Sequence, residues 1–283
     1  MTLLQDFHDL RKESTEKIAD TFNLAFSDYI VPMHLTPSML EEKMTAENLQ
    51  RNFSIGAFNG PELCAIILHG VDNLENPAIL YNGGTGVIPA YRGQHLVKQM
   101  YETFIPIYRQ QGIMQIILEV ISTNIPAIKA YEGSGFRKNR LIHCYKGDVN
   151  ITRSLPAINI ERNPSPDWLL LAGFMDMEPS WSNRPQCIKR ESSTITWEAR
   201  KDEKTVGYIS INKHSRRIRN IAVDPAYRRQ GIGSALLQHV VDALKSNTIT
   251  VLNIDDESPE ISRFFEKSGM INYLSQYEMV ADI

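Results

Sequence analysis

The chain has 283 residues, 42% of them hydrophobic and 22% charged, with a formal net charge of −3. This is the composition of a globular protein with a real core, long enough for one large domain or two ordinary ones, and the charge excludes a general nucleic-acid binder. No apolar run is long enough to span a bilayer and Met1–Asp9 lacks the pattern of a secretory leader, so no membrane partner and a cytoplasmic protein are expected.

In chain order, Leu10, Ile18, Phe22 and Phe26 predict an amphipathic helix over 8–26, and Thr36-Pro37 opens a second. Residues 53–58 and 62–71 read as strands around the turn Asn59-Gly60-Pro61. A further strand ends at Val87-Ile88. A helix over 94–111, kinked or shortened by Pro106, a strand over 114–121, a short helix over 125–134 and a strand over 140–146 follow. The polar span Lys146–Pro166 holds a domain boundary. Beyond it come a strand at Ala157–Glu161, a helix at Trp168–Phe174 after Ser165-Pro166-Asp167, and a hairpin of 195–199 with 206–212. A strand ending at Val223, a helix, a strand over 248–254, a helix over 259–268 and a strand over 273–280 complete the chain. Alternating strands and helices give an α/β protein with a mixed sheet. Cys64, Cys144 and Cys187 form neither a disulfide framework nor a zinc pattern; three buried thiols and no metal are expected.

The most informative stretch is Val223-Asp224-Pro225-Ala226-Tyr227-Arg228-Arg229-Gln230-Gly231-Ile232-Gly233-Ser234. Ile221 and Val223 end a strand, and Leu236, Leu237, Val240, Val241 and Leu244 mark one face of the following helix. The amides freed at that helix start suit an anion, and Gly231 and Gly233 let backbone approach a phosphate without a Cβ in the way. The stretch has a partner 136 residues earlier (223 against 87): Val87-Ile88-Pro89-Ala90-Tyr91-Arg92-Gly93-Gln94-His95-Leu96-Val97. A second pair repeats at an offset of 134 (265 against 131): Leu118-Glu119-Val120 and the run ending Tyr131-Glu132-Gly133-Ser134-Gly135-Phe136 match Leu252-Asn253-Ile254 and the run ending Phe265-Glu266-Lys267-Ser268-Gly269-Met270. Two motifs in one order at one spacing mean two copies of a domain, placed at 1–150 and 154–283.

Arg228-Arg229-Gln230-Gly231-Ile232-Gly233 resembles the pyrophosphate loop of the GNAT acetyltransferase superfamily, Arg-x-x-Gly-x-Gly, at every defined position. The resemblance implies two tandem GNAT-like acyl-CoA N-acyltransferase domains, each with a splayed pair of central strands that admits the pantetheine arm of acetyl-CoA. It places Ile221, Val223, Arg228, Arg229, Gln230, Gly231, Ile232, Gly233 and Ser234 at the cofactor in the second copy. In the first copy Val87, Arg92 and Asn124 stand at matching positions and Gly93 is a further candidate at an undefined position of the pattern, but His95 and Val97 replace the small residues of the loop.

For the chemistry, the resemblance makes Tyr131 the candidate acid that protonates the departing thiolate; the other reading is an aromatic that packs its helix on the sheet. The second copy has Ser258 and Phe265 where the first has Asn124 and Tyr131. Glu119, Asp255, Asp256 and Glu257 are base candidates, though each reads first as a solvated or salt-bridged carboxylate. His34, His69 and His214 have no assignable place, and Tyr29 and Met33 precede a region that lines the acceptor pocket in the superfamily. The implied reaction is acetyl transfer from acetyl-CoA to a primary amine of a small molecule or peptide, by direct attack. Transfer of a longer acyl or aminoacyl group, and an acyl-CoA-binding module without turnover, remain alternatives.

Overall fold

The structure, a computed structural model, describes residues 6–72 and 78–283. The leader expectation at Met1–Asp9 therefore lies partly outside the described residues. The chain divides into two compact units: unit 1 is Met1–Asn139 with Tyr277–Ile283, and unit 2 is Arg140–Gln276.

Unit 1 is built from β1 (Asp6–Asp9), α1 (Thr15–Ala25), α2 (Pro37–Glu47), β2 (Ile55–Asn59), β3 (Glu62–Val71), β4 (Ala78–Val87), α3 (Leu96–Gln110), β5 (Ile113–Ile121) and α4 (Ile125–Glu132). The strand β6 (Arg137–Asp148) follows. Unit 2 continues with β7 (Asn159–Arg162), α5 (Trp168–Ala172), α6 (Pro185–Arg190), β8 (Thr194–Lys201), β9 (Lys204–Asn212), β10 (Arg217–Val223), α7 (Ile232–Leu244), β11 (Thr248–Asp255), α8 (Pro259–Lys267) and β12 (Ile271–Asp282).

The strand orders repeat. Unit 1 runs β1-β2-β3-β4-β5 and unit 2 runs β7-β8-β9-β10-β11, each antiparallel except for its final pair, β4 with β5 and β10 with β11, which are parallel. The sixth strands are exchanged. β6, which leaves unit 1, pairs antiparallel with β11 of unit 2, and the end of β12 lies beside β5 in unit 1, where Met279, Val280 and Ala281 are buried. The two units thus divide at 139/140 and 276/277, outside the polar span Lys146–Pro166, because each repeat closes with a strand from the other.

Local differences from the sequence reading have local causes. The predicted helix over 8–26 is a strand and a helix: Asp6–Asp9 pairs with Ile55–Phe58, and Ser14 caps α1 by accepting from the Lys17 amide. α3 continues through Pro106 to Gln110, since Pro106 and Glu102, whose carbonyl it leaves unbonded, both lie on the solvent face. The short helix α6 carries no apolar period and was not anticipated. All three cysteines are free and buried.

Each unit has its own core. In unit 1, Ile55, Ile67, Leu80 and Ile116 of the sheet cluster with Met100 of α3 and Ile128 of α4; in unit 2, Ile209 and Ile211 of β9 cluster with Leu236, Leu237 and Val240 of α7. Among the described residues no helix is long and apolar enough to cross a membrane.

Candidate functional site

β10 and β11 stay together for only two pairs, Arg217 with Thr250 and Ile218 with Val251. Then both change register against their outer neighbours, β10 between Ile218 and Asn220, β11 between Val251 and Ile254 with Asn253 at φ +66°. An extra residue in a strand increases its local bend, so the two strands part. A cavity of about 670 Å³ lies in unit 2 along this fork, lined by Ile221, Val223, Asn253, Phe264 and the loop before α7. Of the sequence-predicted cofactor residues, Ile221, Val223, Arg228, Arg229, Gly231, Ile232, Gly233 and Ser234 line it; Gln230 does not.

The loop is shaped to leave amides free. Gly231 is the N-cap of α7 in the left-handed region (φ +85°), and no side chain caps the helix, so the first-turn amides have no partner within it. A Cβ on Gly233 would stand at 3.5 Å from Phe264, in ordinary contact, so the space above the first turn is open. These features fit the phosphates of an acyl-CoA.

Arg228 lines the cavity and its guanidinium is held by three protein partners. Its Nε donates to Val223 O (3.0 Å), its Nη1 to Asp176 Oδ1 (2.6 Å) and its Nη2 to Phe174 O (2.9 Å). The guanidinium clamps the strand end to the segment after α5. Unit 1 repeats the clamp: Arg92 Nε donates to Val87 O (3.2 Å), Nη1 to Asp28 Oδ2 (2.6 Å) and Nη2 to Ala25 O (2.9 Å). The Arg92 guanidinium holds the Asp28 carboxyl below its ordinary range. Both arginines therefore set the backbone of their loops, which the sequence could not distinguish from phosphate contact.

Of the remaining first-copy residues, Asn124 is hydrogen-bonded to Tyr29, which lies near Tyr131; the others stand apart. Gly93 has φ +77° and open space around its missing side chain. Val97 packs against the unit 1 core. Asn124 caps α4, accepting from the Ala127 amide at 3.2 Å. Tyr131 is buried, hydrogen-bonded to Thr85 and next to Asn82; burial pushes its hydroxyl up to about 12, so it stays protonated at neutral pH.

Around Tyr131 lies a polar cluster that the sequence reading missed. Asn82 Nδ2 donates to Thr85 Oγ1 (2.7 Å) and Tyr101 OH (2.8 Å), and Asn82 Oδ1 accepts from the Gly84 amide. His69 sits behind it, Nδ1 at 2.9 Å from Phe53 O, and burial lowers it to about 4, a neutral structural histidine. β4 pairs with β5 only as far as Asn82 with Leu118, so this cluster occupies the fork of unit 1. Setting Asn82, Thr85 and Tyr101 against Ile218, Ile221 and Leu237 at the 136-residue offset would have exposed it.

Of the base candidates, Glu119 accepts from Tyr81 OH at 2.6 Å, and burial, reinforced by Glu278 and Glu47, raises it to about 7 although it keeps a solvent-accessible edge. Asp255 pairs with Arg140 (3.0 Å) and Asp256 with His143 (2.8 Å); neither lines the cavity, nor does Glu257. The carboxylates that do line it are Asp176 and Glu260. His34 and His214 are exposed, Met33 is exposed, and Tyr29 packs on Phe26. Among the described residues no group of three or more His, Cys, Asp or Glu could hold a metal ion.

The acetyltransferase (GNAT) family matches residues 16–136 and the acetyltransferase (GNAT) domain residues 177–279, together more than half of the chain. One curated relative is the ribosomal protein bS18 alanine N-acetyltransferase of Escherichia coli (strain K12), 54% identical over 33 residues, which are 12% of this chain and 22% of that protein. Among solved structures, a tandem GNAT protein from the clavulanic acid biosynthesis pathway is similar at a TM-score of 0.73, with 13% identity over 99% of this chain and 98% of that one. A GCN5-related N-acetyltransferase from Sphaerobacter thermophilus gives a TM-score of 0.68, with 15% identity over 98% and 95%. At such identities the two structures speak for the fold.

Proposed function

The chain belongs to the GNAT acetyltransferase family as a tandem protein, and from that premise we propose that unit 2 binds acetyl-CoA and transfers its acetyl group to a primary amine. The observation that carries this reading is the cavity along the β10–β11 fork, which runs from the uncapped first turn of α7 to Asn183 and Met177. The phosphates would lie on the α7 amides and the pantetheine arm would follow the open edge of β10. The amine lone pair attacks the thioester carbonyl carbon, the C–S bond breaks, and the CoA thiolate leaves. Backbone N–H groups of β10 that face the fork would polarise the carbonyl. Phe265 has no proton to give, but a thiol with an ordinary pKa of about 8.5 leaves without much help. The amine's proton goes to water.

A second reading puts turnover in unit 1, favoured by the protonated Tyr131 hydroxyl and by Glu119, whose raised carboxyl suits a base near neutral pH. Incubation with acetyl-CoA and a panel of amines, read as an acetyl mass shift, separates either reading from a non-catalytic binding module. Gly233→Val fills the space above the α7 amides and should weaken CoA binding at least tenfold. Tyr131→Phe should leave turnover unchanged; a fall in kcat of about 10²–10⁴ would move the chemistry to unit 1.

A further inference from the structure

With Arg228 neutralised by Asp176, the positive charge at the cavity comes from elsewhere. Arg153, Arg229, Arg263 and Lys267 all line it, and among the described residues none of them has a carboxylate partner. Three sit on the loop and on α8. Arg153 does not: it belongs to the segment between β6 and β7. Its Nη2 donates to Ser234 Oγ, the third residue of α7, and Ser234 is buried. The same segment rests on the loop three residues later, where Pro156 Cδ would lie 3.0 Å from a Cβ on Gly231. Residues 151–156 are thus laid along the glycine loop with one exposed, unneutralised guanidinium at the helix start.

We propose that Arg153 is a phosphate-binding residue of the donor site, contacting the pyrophosphate of the acyl-CoA in place of the clamped Arg228. This rests on the reading of unit 2 as the acyl-CoA site. Several physical points favour it. A guanidinium presents five donors in a planar fork that matches phosphate oxygens. Ser234 holds it within reach of the first-turn amides, so amides and guanidinium converge on one anion. Its charge is uncompensated, unlike that of Arg228, so an arriving dianion gains its full attraction. Arg263 and Lys267 add to the field from α8 without contact to the loop being required of them.

Calorimetry with CoA, dephospho-CoA and pantetheine on the full chain tests the assignment, using wild type, Arg153→Ala, Arg153→Lys and Gly233→Val. Arg153→Ala should weaken CoA and dephospho-CoA by the same factor, about ten- to a hundredfold, and leave pantetheine unchanged. Arg153→Lys should fall between, keeping the charge and losing the fork. The side chain is exposed, so the melting temperature of Arg153→Ala should match wild type. Unchanged CoA affinity overturns the assignment. So does tighter binding, which would make the segment a cover, and so does a loss confined to CoA, which would give Arg153 the 3′-phosphate. Wild type that binds CoA, with binding lost in Gly233→Val and kept in Arg153→Ala, defeats this inference alone. Wild type that binds no CoA defeats the donor-site reading as well.

Discussion

Unit 1 and unit 2 fork their central strands at the same place and fill the forks oppositely. Where unit 1 has Asn82, Thr85, Tyr101, Glu119 and Tyr131, unit 2 has Ile218, Ile221, Leu237, Asn253 and Phe265. In the first set Asn82, Thr85, Tyr101 and Tyr131 are joined by hydrogen bonds across the fork, and Glu119 accepts from Tyr81. In the second set Ile218, Ile221 and Asn253 line an open cavity, while Leu237 and Phe265 are buried in the core beside it. What stays constant is the frame: the strand order, the Arg–Asp clamp and the loop backbone. Duplicated domains evidently conserve what positions a site and diverge in what fills it.

If the clamp belongs to that frame, its loss should cost both units alike. Arg92→Ala and Arg228→Ala each remove an ion pair and two bonds to backbone carbonyls. We expect about 2–3 kcal/mol of destabilisation in each, read by urea or thermal unfolding. The comparison breaks if Arg228→Ala leaves stability intact and lowers only CoA affinity, for then Arg228 serves the ligand and Arg92 alone serves the fold.

Glu119 tests the filling. Its folded carboxyl is raised from an ordinary 4.5 to about 7, mainly by burial, so the folded chain binds a proton that the unfolded chain has released. The stabilisation from that proton is full below about pH 4.5 and lost as pH rises through 7. Glu119→Gln keeps an acceptor for Tyr81 and removes the titration. It should therefore gain on wild type by about 1–3 kcal/mol between pH 5 and pH 8. A constant difference across that range would mean Glu119 is ionised throughout, as exposed as a surface carboxylate and no better placed as a base.

The frame was legible from sequence because it is repeated. Pro-Ala-Tyr-Arg at 89–92 and 225–228, and the glycines after it, fixed both strand–loop–helix junctions within a residue or two. The exchange of β6 and β12 was not legible: an antiparallel closing strand has the same alternating pattern whichever β5-type neighbour it joins. The clamp made by Arg228 was hidden because its partner Asp176 lies 52 residues away in sequence. Arg153 was passed over because a polar, turn-rich stretch looks like a connection.

The smallest expected effect bears on the loops themselves. Both bring two residues into the left-handed region, at corresponding positions: Gly93 (φ +77°) and His95 (φ +57°) in unit 1, Arg229 (φ +64°) and Gly231 (φ +85°) in unit 2. Each loop thus has one glycine and one strained L-residue, in opposite order. Left-handed backbone costs an L-residue about 1–2 kcal/mol, while glycine loosens the unfolded chain by about 0.4–1 kcal/mol. His95→Gly and Arg229→Gly should each stabilise by the difference, roughly 0.5–1 kcal/mol. The converse changes separate the units. Gly93→Ala meets nothing within 4 Å and should cost only the backbone strain, whereas Gly231→Ala also brings its Cβ to 3.0 Å from Pro156 Cδ. Gly231→Ala should therefore cost more than Gly93→Ala in a melting experiment. Equal costs would mean that the 151–156 segment does not rest on the loop in solution, and that unit 2 has no support there for the guanidinium of Arg153.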